Sequence, residues 1–359
     1  MSSLNICLFS NMSPSAKFPY RGIFVRRVER DLRNSGNIVD TVIMKESGNK
    51  LISYCVWWSL CIFKILFSGH KYHVLYAHFV KYSIIPFLFL PRKVLKKTVF
   101  NFHGTDLYAG RFLTALMKRI TGISAMVIAP SEFFKEEIIK ILELDEDKVF
   151  IFPSGGVDTN LFEYDRKDSL LTNRSPMLLG YVSSITRSKG WKDLFDALVL
   201  LKKQGSEYTC TFVGSGNEEE LLKELIAESN LNDNIHFAGR KEGRDLVDFY
   251  KSIDAFVFPS ERESLGLVGL EAMSCGIPVI GSDIGGIKSY LTDGNNGLLF
   301  KQGDVEDLKR TLERYKELDS KHKKEMRLQA RNTAEKYDST LLVRSLNRKF
   351  ERIRRHNVH

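Results

Sequence analysis

The sequence predicts an α/β protein of two doubly wound, Rossmann-like domains that face each other across a cleft. Three observations carry this expectation. Short β-rich apolar runs alternate with longer helical patterns along almost the whole chain. The alternation breaks at Pro153-Ser154-Gly155-Gly156 and the polar stretch that follows, to about Pro176. The length, 359 residues, suits about two domains of roughly 150 residues each.

In the first half, residues 5–9, 39–44, 73–78, 98–102, 126–129 and 149–152 read as strands. Residues 22–34 read as a helix because Phe24, Val28 and Leu32 share one face, and Gly36 stops it. The second half repeats the pattern. Its strands are 177–182, 208–213, 234–237, 255–258, 278–281 and 298–300, with helices near 191–203, 218–229, 244–251, 266–274 and 305–318. Apolar strands interleaved with helices belong in parallel sheets covered on both faces. The expected domains are residues 1–155 and 156–335, with a charged helical tail, 336–359, packing back on the first. Ligands of such sheets sit outside the carboxyl ends of the strands, so the loops there are where chemistry is sought.

Apolar residues make up 43% and charged residues 27%. That composition excludes a disordered chain, a collagen, a coiled coil and a multi-span membrane protein. Cys7, Cys55, Cys61, Cys210 and Cys275 form no C-x-x-C, and most lie in apolar runs, as reduced thiols of a cytosolic protein do. The chain runs straight into the apolar residues 4–9 with no basic stretch before them, so no signal peptide is expected. Residues 51–67 are almost all apolar but are interrupted by Lys64. At the lower length limit for a span, they read as a buried or interfacial helix.

Charge is unevenly placed. Residues 1–130 hold 18 Lys/Arg and 5 Asp/Glu, whereas the rest hold 35 and 39. The whole positive surplus therefore sits in the first third, which suits an anionic partner. Arg26, Arg27, Arg30 and Arg33 fall on one helix, and Arg92, Lys93, Lys96 and Lys97 cluster beside the apolar residues 84–90. No RNA-recognition, zinc-finger or basic-zipper motif accompanies them, which argues against nucleic acid. The expected partners are an anionic membrane surface, docked peripherally on its cytoplasmic face, or a charged substrate.

The most specific stretch runs from Phe258-Pro259-Ser260-Glu261-Arg262-Glu263-Ser264-Leu265-Gly266 through Glu271-Ala272-Met273 to Gly276-Ile277-Pro278-Val279. A strand ends at Phe258, a loop carries Glu263, and a helix opens near Gly266. The first amides of that helix have no internal partners and lie at its positive end, which suits a diphosphate. Glu263 and Glu271 are eight residues apart, about 10–12 Å along a helical rise. That is too far for a retaining-glycosidase carboxyl dyad and fits two ends of one extended ligand. Arg187-Ser188-Lys189-Gly190 follows another strand and precedes a helix, where a lysine acts as a point charge for phosphate.

Phe102-His103-Gly104-Thr105-Asp106 places His103 at a strand end, and Asp106 stands where it could cap the next helix. Gly22, preceded by Arg21, closes the loop after the first strand. Gly214-Ser215-Gly216 and Gly239-Arg240-Lys241 follow two more strands. Asp145-Glu146-Asp147 spells a metal-diphosphate signature but precedes a strand, so it reads as a solvated turn. No Walker loop, zinc spacing or Gly-x-Ser-x-Gly is found.

Glu263-x7-Glu271 within PSERESLGLVGLEAMSCGIPVIGSDIGG…NNGLLF resembles the retaining glycosyltransferases of family 4, with the block 256–300 the most specific part. The resemblance implies a two-domain GT-B fold and transfer of a sugar from a nucleotide-sugar, UDP-linked first and GDP-linked second, with no metal or other cofactor. By the same resemblance the acceptor is a glycan or lipid-linked molecule in surface polysaccharide or lipopolysaccharide assembly. Glu271 would hold the donor ribose and Glu263 would lie near the donor sugar. Ser264, Leu265 and Gly266 would offer amides to sugar hydroxyls and diphosphate. Lys189, with Arg187, would offset charge on the leaving diphosphate. His103 would touch the donor sugar, Gly22 and Gly214 would approach the donor, and Arg240 would line the base pocket. Arg21 and Asp106 would face the acceptor. The chain departs from the family pattern at Ser183-Ser184, where Gly-Arg is usual, at the missing glycine pair before Gly22, and at Ser289, where Glu is frequent. A nucleotide-sugar epimerase of the same fold and a silent sugar-nucleotide-binding protein are the alternatives.

Overall fold

Two six-stranded parallel sheets organise the chain. The computed structural model describes residues 3–12, 22–45, 48–164 and 175–357. The chain divides into one unit of Met1–Gly156 with Ser339–His359, and a second of Val157–Asp338.

The first unit holds strands β1 (Asn5–Ser10), β2 (Ile38–Ile43), β3 (Val74–His78), β4 (Thr98–Asn101), β5 (Met126–Ala129) and β6 (Val149–Ile151). Their order across the sheet is β2-β1-β3-β4-β5-β6. Helices α1 (Ile23–Asn34), α2 (Lys50–Ser68), α3 (Val80–Ser83), α4 (Arg92–Leu95), α5 (Arg111–Ile123) and α6 (Glu132–Leu142) connect them. Successive strand residues point to opposite faces. Ile6 and Leu8 therefore pack with Val25, Val28 and Leu32 of α1, while Cys7 and Phe9 pack with Trp57, Cys61 and Ile65 of α2. Local signals set the helix starts: Asn49 Oδ1 accepts from Leu51 N at 2.9 Å, and Ser131 Oγ from Phe134 N at 3.2 Å.

The second unit holds β7 (Met177–Val182), β8 (Tyr208–Val213), β9 (Ile235–Phe237), β10 (Ala255–Phe258), β11 (Val279–Ser282) and β12 (Gly297–Phe300). The sheet order is β12-β11-β10-β7-β8-β9. Helices α7 (Trp191–Lys203), α8 (Glu219–Glu228), α9 (Gly243–Ser252), α10 (Leu267–Ser274), α11 (Gly285–Lys288), α12 (Val305–Glu317) and α13 (Ser320–Glu335) cover it. Arg331 on α13 locks the end of α10, donating to Ser274 O at 2.8 Å and Phe162 O at 2.9 Å. The last helix, α14 (Ser339–His356), belongs to the first unit. There Phe350 packs edge-on against Tyr76 at 5.3 Å, and Asn347 Oδ1 accepts from Asn37 Nδ2 at 2.9 Å.

Each strand read from the sequence forms, with ends shifted by at most one residue. The basic face of α1 differs from expectation, because Arg33 pairs with Glu29 and Arg30 with Asp31, both at 3.1 Å. Arg27 Nη1 donates to Gly156 O at 3.2 Å. Much of that charge is thus engaged within the unit.

Candidate functional site

A doubly wound sheet binds ligands where its strand order reverses, outside the carboxyl ends of the two strands that flank the reversal. In the second unit those strands are β7 and β10. The loop after β7 ends in a short 3-10 turn, Arg187–Lys189, and the loop after β10 carries Glu263. Residues 74 positions apart meet here: Lys189 Nζ donates to Glu263 Oε1 at 2.5 Å. Ser260 Oγ donates to the same oxygen at 3.1 Å. The two charged side chains are only 27% and 13% exposed, so the pair is partly shielded from solvent.

The loops touch backbone to backbone. Glu261 N donates to Ser188 O at 3.0 Å. A Cβ at Gly190, which has φ of 67°, would lie 1.8 Å from Pro259 O, and one at Gly286 would lie 2.2 Å from Glu263 O. Only glycine allows these approaches. Tyr181 OH, below the turn, shares its one proton between Ser184 O at 3.1 Å and Lys189 O at 3.4 Å. Gly266 caps α10 at its amino end, and Tyr290 OH donates to its carbonyl at 3.2 Å.

Lys189, Glu263, Ser264, Leu265 and Gly266 are thus gathered around one switch point. Leu265 is buried in the core, which leaves only its main chain for a ligand. Arg187 is exposed on the adjoining turn. Glu271 lies on α10 and is 8% exposed. Its charge adds to burial in pushing the Tyr250 phenol up. Because α10 starts at Leu267, Glu263 lies outside the helix, and the helical-rise estimate of its separation from Glu271 does not apply. Next along the sheet, Gly214 N donates to Gly239 O at 2.7 Å, joining the loops after β8 and β9. Arg240 pairs with Glu242 at 2.9 Å.

In the first unit the order reverses between β1 and β3. His78 ends β3, and His103 follows β4. His78 Nδ1 and His103 Nε2 are 3.1 Å apart, and Phe24 packs on the His103 ring at 4.3 Å between centroids. Burial pushes the His103 imidazole down to about 3. It holds His78 well below its ordinary value too, helped by His103. Both rings are therefore neutral at pH 7, and one proton lies between them. His78 Nε2 is buried without a partner. A buried orphan N–H is the rarer outcome, so His78 donates from Nδ1 and His103 carries its own proton on Nδ1.

Asp106 corrects an expectation. It is fully buried, and it neither caps α5, whose N-cap is Gly110, nor stands open to an acceptor. Its Oδ1 accepts from His103 N and Gly104 N, each at 2.9 Å, and its Oδ2 from Val80 N at 2.8 Å. Asp106 thus braces the two histidine loops. Burial raises its carboxyl to about 6, outweighing those amides. Gly22 caps α1 with φ of 80°; Arg21 lies outside the described residues.

Two polar groups at this second switch point were given no role in the site from the sequence. They are His78 and Asn11, whose Oδ1 is also buried without a partner. Each closes or follows a predicted strand, the same cue that marked His103. The acidic run around Glu146 forms a turn before β6, with Glu146 paired to Lys135 at 2.8 Å. Among the described residues no group of three or more His, Cys, Asp or Glu is placed to hold a metal ion.

These sheets and loops define a two-domain GT-B protein. Structures with the same fold include a glycosyltransferase from Rickettsia africae, at 19% identity and TM-score 0.78 over 98% of this chain and 99% of that one. Another is HepE of Anabaena in complex with UDP-glucose, at 19% identity and TM-score 0.74 over 97% and 99%. Residues 22–161 match Glycosyltransferase Family 4, and residues 163–336 match Glycosyl transferases group 1. The chain belongs to this glycosyltransferase family. Its relatives include the amylovoran biosynthesis glycosyltransferase AmsK of Erwinia amylovora, 26% identical over 60% of this chain and 54% of that protein. The capsular polysaccharide biosynthesis glycosyltransferase CapM of Staphylococcus aureus is 28% identical over 56% and 55%. The chain spans about half the length of the curated relatives it matches.

Proposed function

We propose that this protein is a retaining glycosyltransferase that moves a sugar from a nucleotide-sugar to a glycan or lipid-linked acceptor in surface polysaccharide assembly. The observation that carries this reading is the Lys189–Glu263 pair at the switch point between β7 and β10. A partly buried lysine beside the amino end of α10 is a site for a diphosphate. HepE, of the same fold, binds UDP-glucose, which favours a UDP-linked donor over a GDP-linked one. AmsK and CapM are named for polysaccharide biosynthesis, which supports the setting.

In this reading the second unit holds the donor and the first holds the acceptor at the cytoplasmic face of an anionic membrane. The bond from the sugar anomeric carbon to the diphosphate oxygen breaks. The acceptor hydroxyl oxygen bonds to the same face of that carbon, and its proton passes to the departing diphosphate. Lys189 and Arg187 offset the charge that develops there. Glu263 positions Lys189 and lies near the sugar, while Glu271 holds the ribose. His103, a neutral donor at Nδ1, meets a sugar hydroxyl.

A thermal-shift panel of UDP, GDP, ADP and their sugars tests the donor. A ligand at 100 times its Kd stabilises by about 2.7 kcal/mol. Stabilisation by UDP and UDP-sugars, lost in Lys189→Met, is the expected outcome. No shift with any nucleotide would overturn the reading. Mass analysis of products separates transfer from epimerisation.

A further inference from the structure

We propose that helix α2 is an interfacial membrane anchor, its outward face lying among the headgroups of an anionic bilayer. The reason is that this helix is apolar on the wrong side as well as the right one. One face, Tyr54, Trp57, Cys61 and Ile65, is buried in the core of the first unit. The opposite face carries Ile52, Val56, Leu60, Phe63, Leu66 and Phe67, each exposed and spaced at helical intervals. A helix covering a water-soluble domain has polar residues there. Phe63 and Phe67 are 60% and 65% exposed, and their rings pack on each other at 4.4 Å, so they form one ridge. The ridge does not stand alone. The turn Ile85–Phe87 packs against α2, and Phe89, two residues beyond it, is 91% exposed.

Charge identifies the occupant. Residues 41–105 contain nine Lys/Arg and a single acidic residue, Glu46. The apolar segment Lys50–Lys71 begins and ends in an exposed lysine. Arg92, Lys93 and Lys96, just past Phe89, are exposed on and beside α4. Lys64, inside the apolar run, is paired with Asp40 at 3.0 Å. An apolar ridge in a cationic collar matches acyl chains beneath anionic headgroups. A second copy of the chain would bring the same collar against itself, like charge on like charge. A span is excluded by the buried face, because Trp57 Nε1 donates to Val42 O at 3.0 Å and the helix could not leave the sheet without unmaking that core. The proposal rests on the transferase reading only for why a membrane would be near, namely to present a lipid-linked acceptor.

The test uses the full chain and vesicles. Cys55 is exposed on α2, and the other four cysteines are buried, so an environment-sensitive dye can be attached at Cys55. Vesicles of phosphatidylcholine alone are compared with equimolar phosphatidylcholine and phosphatidylglycerol. The expected result is a blue-shifted dye and co-sedimentation on the anionic vesicles, with binding at least about tenfold weaker on the neutral ones. The double substitution Phe63→Ser, Phe67→Ser is expected to weaken partition by roughly tenfold or more. Its thermal melt should match the parent, since both rings are largely in solvent. Three results would each overturn the proposal: a wild-type chain that stays in the supernatant with both vesicles, a double variant that pellets like the parent, or a concentration-dependent dimer that the double variant abolishes. UDP thermal shifts on the same samples read the donor site separately, so failure of the anchor and failure of the transferase reading are told apart.

Discussion

The sharpest test of the donor site is to remove each partner of the Lys189–Glu263 pair in turn and titrate UDP. Lys189 Nζ donates to Glu263 Oε1 at 2.5 Å, with the side chains 27% and 13% exposed. A diphosphate arriving at this point must share the ammonium with a carboxylate of its own sign. Lys189→Met keeps the aliphatic bulk and removes the charge. A hydrogen bond to a charged group contributes about 1.5–3 kcal/mol, so UDP is expected to bind roughly 10- to 150-fold more weakly. Glu263→Gln keeps the shape and removes the competitor. Binding of UDP should be unchanged or tighter by up to about tenfold, while transfer falls because the lysine is no longer positioned. The two variants should therefore part in one calorimetric titration, the first weakening UDP binding and the second not weakening it. If Lys189→Met bound UDP within about twofold of the parent, or if both variants weakened it alike, the pair would be a structural tie and the reasoning would fail.

Three further outcomes are expected. Gly190→Ala forces a side chain into a φ of 67° and against Pro259 O; it should cost about 2–4 kcal/mol, and an unchanged urea midpoint would contradict the loop packing described. His78→Phe should leave the fold intact, shift the nitrogen-15 signature of His103 toward a mixture of tautomers, and lower kcat several-fold more than it raises KM, with His78→Gln restoring part of both; an unaltered His103 signal would refute the pairing. Acidification should weaken the first unit, because folded His103 at about 3 and His78 lie below their ordinary value of 6.5. Their contribution is complete above pH 6.5 and is lost as pH falls toward the folded values. Asp106, raised from 3.8 to about 6, acts oppositely, its contribution present below 3.8 and lost as pH rises through 6. His73, also lowered by burial, adds to them, and three histidines against one aspartate make the net direction destabilising from pH 6.5 downward; urea melts that strengthened over that range would refute it.

Much of this was legible in the sequence. Short apolar runs place the strands of both sheets because strands buried on both faces leave a continuous local signal. The loop residues Lys189, Glu263 and His103 were found because each follows a strand. What the sequence withheld was non-local. Strand order is not written in any one segment, so the meeting of Lys189 with Glu263, and of His78 with His103, had no local cue. Asp106 misled for the same reason. An aspartate three residues after a histidine reads as a cap or a ligand, and only the fold reveals that Val80, from another loop, takes its second oxygen.

The two units reach a common solution from different sheets. In each, the first strand has neighbours on both sides, and the chain must leave those strands in opposite directions, opening a space at their carboxyl ends. In the second unit that space is framed by loops which hold one another, Gly190 against Pro259 and Gly286 against Glu263, so the lysine and the amino end of α10 are fixed by protein contacts. A site held this way loses little freedom when a charged ligand docks, and its dipoles need not reorganise as charge develops on a leaving group. In the first unit the corresponding space is bordered by neutral, buried groups, Asn11 and His78, each with an unpartnered polar atom. Neutral groups of this kind bring no positive charge to draw a phosphate. The asymmetry favours the proposed reading, with the charged end of a donor at the second unit and a hydroxyl-bearing acceptor at the first.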